Sequence, residues 1–471
     1  MANIRYVCLS DLHLGEEDSL LTDAADWSRP SPLLQRLAEC LAAILRSNEP
    51  HAPKPSLILA GDVLELALCP WQQSLTAFEQ FLRSVMAPND ALFGEIVYLP
   101  GNHDHHMWTA AREAQYVNYL GRLAPGEPLE APWDTTKAVM DLAGKDRLVS
   151  GALTAIARRI PHLRDCGFEI LTAYPNFGVM DGGGRAIVFH HGHFIEPVYR
   201  FFSTLASMFF PDQGVPEDVY TLEKENAAWI DFFWSSLGSC GRVGDDVETI
   251  FEASADERSL QSLTDTLAHS IACRYAVPAW APRFLRELTL KAALREAAGS
   301  VSTGLERRQT QGAAPLSPEG AAGLRWYLEG PLRRQLEQEN GRAPDTMTFV
   351  LGHTHKPWVD CWDRACILNT GGWVVDAPQE QRLHGAAAVF VDEGLSAVSV
   401  RWYNEGSYGV RVEEPQPAGA PHSPLYNEIG RALATQPQPW KSFAETTRAE
   451  VELRIAGLAA RLKRRAAKAA G

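Results

Sequence analysis

The chain has 471 residues, of which 45% are hydrophobic and 22% are charged. This composition is typical of a soluble globular protein and excludes a collagen-like or wholly disordered chain. The net charge of −14 excludes a basic field over the whole protein, so only a local basic groove could bind nucleic acid.

Three further features of the sequence bear on where the protein works. No apolar run reaches the roughly 18 residues of a membrane-spanning helix, so none is predicted. No signal peptide is visible before the first apolar segment, and we therefore predict a cytoplasmic protein. The eight cysteines are scattered without a Cys-x-x-Cys pair. This favours reduced core thiols over a disulfide framework or a cysteine-rich zinc site.

The first hundred residues alternate between short apolar strands and helical patterns. Strands are predicted over 4–10, 56–60 and 95–99, and helices over 31–47 and 71–86. This alternation is typical of a layered α/β domain, in which ligands collect beyond the carboxyl ends of the strands.

The middle of the chain changes character. Residues 108–165 have a mostly helical pattern without a chemical motif. Residues 168–174 and 177–191 are predicted strands, with a hairpin turn at the glycines that follow Asp181. Residues 194–345 are helix-rich and aromatic, and we interpret them as a helical insertion.

Strand patterns resume after the insertion. The predicted strands cover 347–351, 365–368, 386–391 and 397–403. Residues 414–425, rich in Pro, Ala and Gly, are a predicted linker, and 441–468 form a predicted amphipathic helix with a basic end. That helix either docks on the protein with a solvated basic tip, or contacts an anionic membrane surface or nucleic acid.

Side chains that suit metal binding occur in five loops, each directly after a predicted strand. The loops are Ser10-Asp11-Leu12-His13, Ala60-Gly61-Asp62, Pro100-Gly101-Asn102-His103-Asp104, His190-His191-Gly192-His193 and Gly352-His353-Thr354-His355. Each alone has an ordinary explanation as a turn or surface segment, but five in order predict one site. Carboxylates, an amide oxygen and imidazoles without a thiolate favour Mn²⁺, Fe or Zn²⁺. The Asp-x-His and His-x-His spacings predict two side chains on one face of an extended segment.

This series of motifs resembles the calcineurin-like metallophosphoesterase superfamily, and residues 369–373 resemble a loop that is common after its last motif. The resemblance implies an α/β fold, a four-layer α/β/β/α sandwich of two mixed sheets with a helical insertion. It divides the chain into a first part of the core (1–193), an insertion that could act as a lid (194–345), the last part of the core (346–410), and a linker with a C-terminal helix (411–471).

The resemblance also implies a dinuclear site. Asp11, His13 and His355 would hold one ion, Asn102, His191 and His353 would hold the other, and Asp62 would bridge them. In the fourth motif His190 and His193 compete for the ligand role, and we choose His191 because the superfamily's ligand directly precedes the glycine. His103 would donate a hydrogen bond to the phosphate and protonate the leaving oxygen, while Asp104 would hold its imidazole in the required tautomer.

The activity that the resemblance implies is that of a metal-dependent phosphoric ester hydrolase. Two divalent cations, Mn²⁺ first with Fe or Zn²⁺ as alternatives, would bind a bridging water and lower its pKa from 15.7 towards about 7. The predicted substrate is a phosphate ester or pyrophosphate, on a lipid-like small molecule or a nucleotide. A nuclease or cyclic-nucleotide phosphodiesterase is one alternative. A catalytically silent scaffold of the same fold is another, disfavoured because every expected ligand is present. The sequence predicts no oligomeric state.

The insertion begins directly after the fourth motif with the aromatic and apolar residues 194–210, and 229–234 add a second aromatic block. It is either a subdomain with its own core or a lid whose apolar wall accepts an acyl group, with peripheral membrane contact. The lid placement is similar to that in UDP-diacylglucosamine pyrophosphohydrolases of lipid A synthesis, members of the same superfamily. Their main branch has Arg where this chain has His103.

Overall fold

The computed structural model describes residues 3–209, 214–236, 314–362, 364–416, 420–435 and 437–469. Its strands, in chain order, are β1 (Ile4–Leu9), β2 (Ser56–Ala60), β3 (Met86–Ala87), β4 (Asp90–Ala91), β5 (Glu95–Leu99), β6 (Ile170–Thr172), β7 (Asn176–Met180), β8 (Arg185–His190), β9 (Thr346–Leu351), β10 (Trp358–Trp362), β11 (Ala365–Asn369), β12 (Gly385–Asp392), β13 (Ala397–Asn404) and β14 (Arg411–Glu413). Apart from the small β3–β4 hairpin, they form two mixed sheets.

The sheet topology brings the predicted motif loops together. The first sheet has the order β14–β13–β12–β1–β2–β5–β6, in which β1, β2, β5 and β6 are parallel. The second has the order β10–β11–β9–β8–β7, in which β8, β9 and β11 are parallel. Because parallel strands end at the same edge of a sheet, the loops after β1, β2 and β5 are neighbours, and so are those after β8 and β9.

Alternating apolar residues explain why the two sheets stack. Cys8, Ile58 and Val97 on the first sheet pack against Phe189 and Val350 on the second, all of them fully buried. Their sequence neighbours point to the opposite face because strand side chains alternate. On that outer face they pack against helices. The predicted α/β/β/α sandwich is confirmed.

Helices cover both outer faces. They are α1 (Pro32–Leu45), α2 (Trp71–Val85), α3 (His106–Leu120), α4 (Gly151–Ala157), α5 (Pro161–Asp165), α6 (Phe201–Phe209), α7 (Val219–Ile230), α8 (Pro318–Tyr327), α9 (Arg333–Asn340), α10 (Pro424–Thr435) and α11 (Trp440–Ala469). The first helix begins where the chain supplies a cap, because the Ser31 hydroxyl accepts a 3.0 Å hydrogen bond from Leu34 N and Pro32 fits the first turn.

The described part of the predicted insertion is helical. Short helical turns at His193–Ile195 and Pro197–Arg200 lead into α6 and α7, and α8 and α9 return the chain to β9. Their buried residues pack on the outer face of the second sheet, where Leu222 and Leu324 contact the cluster that contains Phe349. The predicted insertion also includes 210–213 and 237–313, which lie outside the described residues. Its boundaries therefore remain a prediction.

Several elements differ from the sequence-based expectation. Residues 108–165 are only partly helical, since 121–150 connect α3 and α4 without a helix. The strands β10 and β14 were not predicted. The Pro-rich segment 414–425 is followed by the unpredicted helix α10, which packs through the buried Leu425 and Ile429.

The C-terminal helix α11 docks on the core. Val451 and Leu458 are buried, and the guanidinium of Arg454 donates to the backbone carbonyls of Ser19 and Thr22 at 3.2 and 2.8 Å. Further along the helix, Arg461 forms ion pairs with Glu17 and Asp18. The prediction that this helix docks on the protein is confirmed for its apolar face, which includes Val451 and Leu458. Lys463 and Arg464 at its basic end are exposed.

One cysteine prediction is wrong. Cys361 and Cys366 form a disulfide, because the antiparallel pairing of β10 with β11 places them directly opposite each other. Cys8, Cys40 and Cys69 are free thiols in the core, as predicted, whereas the free thiol of Cys166 is exposed. Cys240 and Cys273 lie outside the described residues.

Within the described ranges, none of the helices combines the length and apolar character needed to cross a bilayer.

Candidate metal centre

Five of the seven predicted ligands have a left-handed backbone conformation. Asp11, His13, Asp62, His353 and His355 all have positive φ, between 43° and 72°. Non-glycine residues adopt this left-handed conformation rarely, and it concentrates at functional sites. The expectation that Asp-x-His and His-x-His lie on extended backbone is therefore wrong. Left-handed residues turn each loop sharply so that both side chains point into the same space.

The first predicted ligand group is assembled as expected from the sequence. The donor atoms of Asp11, His13 and His355 all lie within 4.8 Å of one another. Nε2 of His13 is 3.3 Å from Nε2 of His355, which in turn is 3.5 Å from Oδ1 of Asp11. All three side chains are buried, with at most 1% exposed.

The second predicted group lies beside it. Nε2 of His191 is 2.9 Å from Oδ1 of Asn102 and 3.1 Å from Nδ1 of His353. Asp62 lies between the two groups, because its Oδ2 is 3.2 Å from Nε2 of His191 and 3.8 Å from Nε2 of His13. The structure thus brings all seven predicted ligands into one buried cluster.

The chemistry of these donors fits a pair of cations. The Nδ1 atoms of His13 and His355 lie 2.8 Å from the carboxylates of Glu65 and Asp376, so each donates its proton there. Their Nε2 atoms then present lone pairs to each other at 3.3 Å, and lone pairs repel. A cation between them would convert this repulsion into coordination. The carboxylate partners are those that orient histidine ligands in metalloproteins.

A comparison with protein families shows which family the chain belongs to. The family model described as calcineurin-like phosphoesterase matches residues 4–242, which is just over half of the chain and includes the first four motifs. The chain belongs to the calcineurin-like phosphoesterase family. No curated protein matches it.

Among the solved structures that are similar to this phosphoesterase is one of low sequence identity. It is the phosphopantetheinyl hydrolase of Mycobacterium tuberculosis, which is 14% identical, with 79% of this chain and 91% of that chain covered. The TM-score is 0.25, and so low a score gives no support for a shared substrate.

The predicted catalytic histidine of the phosphoesterase, His103, is held from two sides. Its backbone N–H donates to Oδ1 of Asp62 at 2.8 Å. Its Nδ1 lies 2.8 Å from Oε2 of Glu65, whose carboxylate also receives His13. One fully buried carboxylate therefore orients both a predicted ligand and the predicted acid.

The predicted role of Asp104 is wrong. Its carboxylate accepts backbone N–H groups from Gly101 at 2.6 Å, Val63 at 2.8 Å and Leu64 at 3.1 Å. It therefore ties the second motif loop to the third, and the carboxylate that holds the His103 imidazole is Glu65. The sequence could not show this, because only the turn after Asp62 brings Glu65 back under His103.

Among the described residues, the other histidines of the fourth motif belong to none of the groups whose atoms could hold a metal ion. His190 packs against the Tyr327 ring, with centroids 4.8 Å apart, in the core beneath α8. His193 stacks on Tyr174. Of the three histidines, the structure places only His191 among the predicted ligands.

The sequence reasoning missed three acidic residues. Glu65 and Asp376 orient predicted ligands, and Oε1 of Glu196 lies 3.2 Å from Nε2 of His353. Glu65 follows Asp62 by three residues, but this spacing alone does not show which histidines its carboxylate faces. Asp376 and Glu196 belong to no pattern, and only the folded chain brings them to the histidines.

Burial and neighbouring charges act in opposite directions on the ionisation of the clustered side chains. Burial opposes ionisation of Asp62, but the neighbouring His191 and His103 outweigh it and hold the pKa of that carboxyl well below its usual range. Burial alone would lower the pKa of His191, yet the charge of Asp62 raises it to about 9. Burial lowers the pKa of His13 to about 4, so this imidazole is neutral, whereas His191 would have to release a proton in order to bind a cation.

Proposed function

We propose that this phosphoesterase hydrolyses a phosphate ester or pyrophosphate with the help of two divalent metal ions. Asp11, His13 and His355 would hold one ion, Asn102, His191 and His353 the other, and Asp62 would bridge them. The observation that supports this best is the position of Asp62, whose Oδ2 faces Nε2 of both His13 and His191. We propose Mn²⁺, with Fe or Zn²⁺ as alternatives, since all three accept nitrogen and oxygen donors.

When bound, the ions would lower the pKa of a water molecule and neutralise the phosphate oxygens. The protein would supply orientation, because buried carboxylates fix the imidazoles before substrate arrives. His103, with its Nδ1 on Glu65, can present Nε2 to the leaving oxygen and deliver a proton there. A silent scaffold would have no use for seven metal-binding side chains buried in one cluster.

The substrate we propose has an apolar or aromatic part. The ring of Tyr199 meets that of His353 edge-on with centroids 5.1 Å apart, and Trp234 lies 5.1 Å beyond Tyr199. One residue from each aromatic block of the insertion thus lies near the second ligand group, Tyr199 in contact with His353 and Trp234 behind it. This supports a lipid-like or nucleotide substrate, and a cytoplasmic location with peripheral membrane contact remains a prediction from the sequence.

Two variants test the proposal. Asp62→Asn should lose both bound metal, measured by elemental analysis, and hydrolysis of a chromogenic phosphodiester. Asp26→Asn, at an exposed loop, is the matched control. His103→Ala should keep the metal and lose about 10²–10⁴ in rate, the usual contribution of a general acid.

Two results would contradict the proposal. Full activity of Asp62→Asn would exclude the dinuclear centre. Loss of metal from His103→Ala would show that His103 is a ligand, an outcome worth testing because its donor atom also clusters with those of His13 and Asp62.

A further inference from the structure

A second buried cluster of charged side chains links α7 to the third motif, which contains His103. Oε1 of Glu223 lies 2.9 Å from Nε2 of His105, and both side chains are fully buried. His105 follows the third motif directly and comes two residues after His103. A helix of the predicted insertion is therefore ion-paired to the segment that presents the proposed acid.

The second oxygen of Glu223 reaches another part of the site. The hydroxyl of Tyr174 donates to Oε2 of Glu223 at 3.0 Å and lies 3.3 Å from Nε2 of His193. His193 comes two residues after the predicted ligand His191. One carboxylate on α7 thus contacts residues that adjoin both the third motif and, through Tyr174, the fourth.

Charge makes this contact strong. Burial disfavours a charged His105, but Glu223 and Asp231 together raise its pKa to about 9, so the imidazole is positive at neutral pH. Oδ1 of Asp231 lies 3.6 Å from Nδ1 of His105 and 3.1 Å from that of His106. Separating a buried charge from its partner strongly destabilises the folded protein, so the contact between His105 and Glu223 resists separation.

We propose that Glu223 is a positioning residue for the reaction: it holds His105 and Tyr174 together and so fixes the loop that presents His103. This rests on the proposed function of His103 as the general acid. It makes α7 part of the catalytic unit, since displacement of this helix would move the acid. A misplacement of about 1 Å can reduce the rate of an enzyme by up to about 100-fold.

The test compares Glu223→Gln with Glu225→Gln. Glu225 lies on the same helix, and its carboxylate accepts the Ser203 hydroxyl away from the catalytic loop. We expect Glu223→Gln to lower kcat about 10- to 100-fold on a phosphodiester with a poor leaving group, with metal content unchanged. On a substrate with a good leaving group, which needs no acid, the loss should shrink. Glu225→Gln should keep the wild-type rate on both substrates.

A double variant separates positioning from a general structural effect. If Glu223 acts through His103, then Glu223→Gln should cost nothing further once His103→Ala is present. An equal loss in both backgrounds, or a Glu223→Gln rate equal to that of Glu225→Gln, would overturn the proposal. If His103 is not the general acid, the single variant His103→Ala will keep its rate. Failure of the proposed function can therefore be distinguished from failure of this inference.

Tyr174→Phe keeps the test decisive if Glu223→Gln does not fold. It removes only one hydroxyl from the cluster and leaves the His105–Glu223 pair intact. We expect a smaller loss of kcat than that of Glu223→Gln, again absent in the His103→Ala background. A loss that persists in that background would contradict the proposal.

Discussion

His13 and His355 are 342 residues apart in the chain, yet their Nε2 atoms face each other at 3.3 Å. The Nδ1 atom of each ring lies 2.8 Å from a carboxylate, that of Glu65 for His13 and that of Asp376 for His355. The two carboxylates decide which nitrogen faces the site, and so they prepare both rings to coordinate.

Asp376→Asn should therefore weaken metal binding without removing any ligand. The amide could present its N–H₂ group to Nδ1 of His355 and favour the wrong tautomer. Substitutions of such supporting groups typically reduce metal affinity about 10- to 100-fold. Titration with a competing chelator would measure the change, with the exposed Glu380→Gln as control. Unchanged affinity would show that the tautomer of His355 is set by another contact.

Glu65→Gln should have two effects at once. One carboxylate receives Nδ1 of both His13 and His103, and a neutral amide cannot accept both protons equally well. We expect a rate loss at least as large as that of His103→Ala, accompanied by weaker metal binding that His103→Ala does not show. Steady-state kinetics together with elemental analysis would check this, with Glu39→Gln on the surface of α1 as control. A wild-type metal affinity in competition with a chelator, combined with a wild-type rate, would refute the shared role.

Most of the long strands and the ligand cluster could be predicted from the sequence, because each ligand follows an apolar strand whose pattern is short and clear. The backbone at the ligands could not, since a left-handed Asp11 or His353 depends on the neighbouring loops that hold it. Glu65 and Asp376 were missed for the same reason, as their roles arise only from tertiary packing. The Cys361–Cys366 bond likewise requires the register of β10 on β11, which spacing alone does not show.

Arg454→Met should destabilise the folded protein through the first motif loop. The guanidinium is 3% exposed and donates to two buried backbone carbonyls, those of Ser19 and Thr22. Methionine keeps much of the volume but leaves both carbonyls without their donor. A cost of about 3–6 kcal/mol is expected, since each of the two lost hydrogen bonds from the charged donor contributes about 1.5–3 kcal/mol. Denaturant unfolding would measure it, against the exposed Lys463→Met on the same helix. A loss no larger than that of the control would show that water replaces the guanidinium.

Glu405 should make the stability of the protein fall as the pH rises. Burial raises the pKa of this carboxyl to about 8, assisted by the negative charges of Asp376 and Glu380 and opposed by the backbone N–H of Gln381. In the unfolded chain a glutamate has a pKa of about 4.3. Between these values the folded protein retains a proton that the unfolded chain has released. The contribution to stability is therefore complete below about pH 4.3 and is lost as the pH rises to about 8.

Glu405→Gln should remove this dependence, because glutamine can still accept the Gln381 N–H and has no proton to lose. The free energy of unfolding of the variant minus that of the wild type should grow by ~4 kcal/mol between pH 5 and pH 9, because about three units of the pKa difference fall in this window and each is worth about 1.4 kcal/mol. Urea unfolding at several pH values would measure this difference, in which the other titrating groups cancel. Glu452→Gln, exposed on α11, should show no such growth. If the two variants behave alike, Glu405 is ionised in the folded protein at neutral pH and its burial is compensated by solvent.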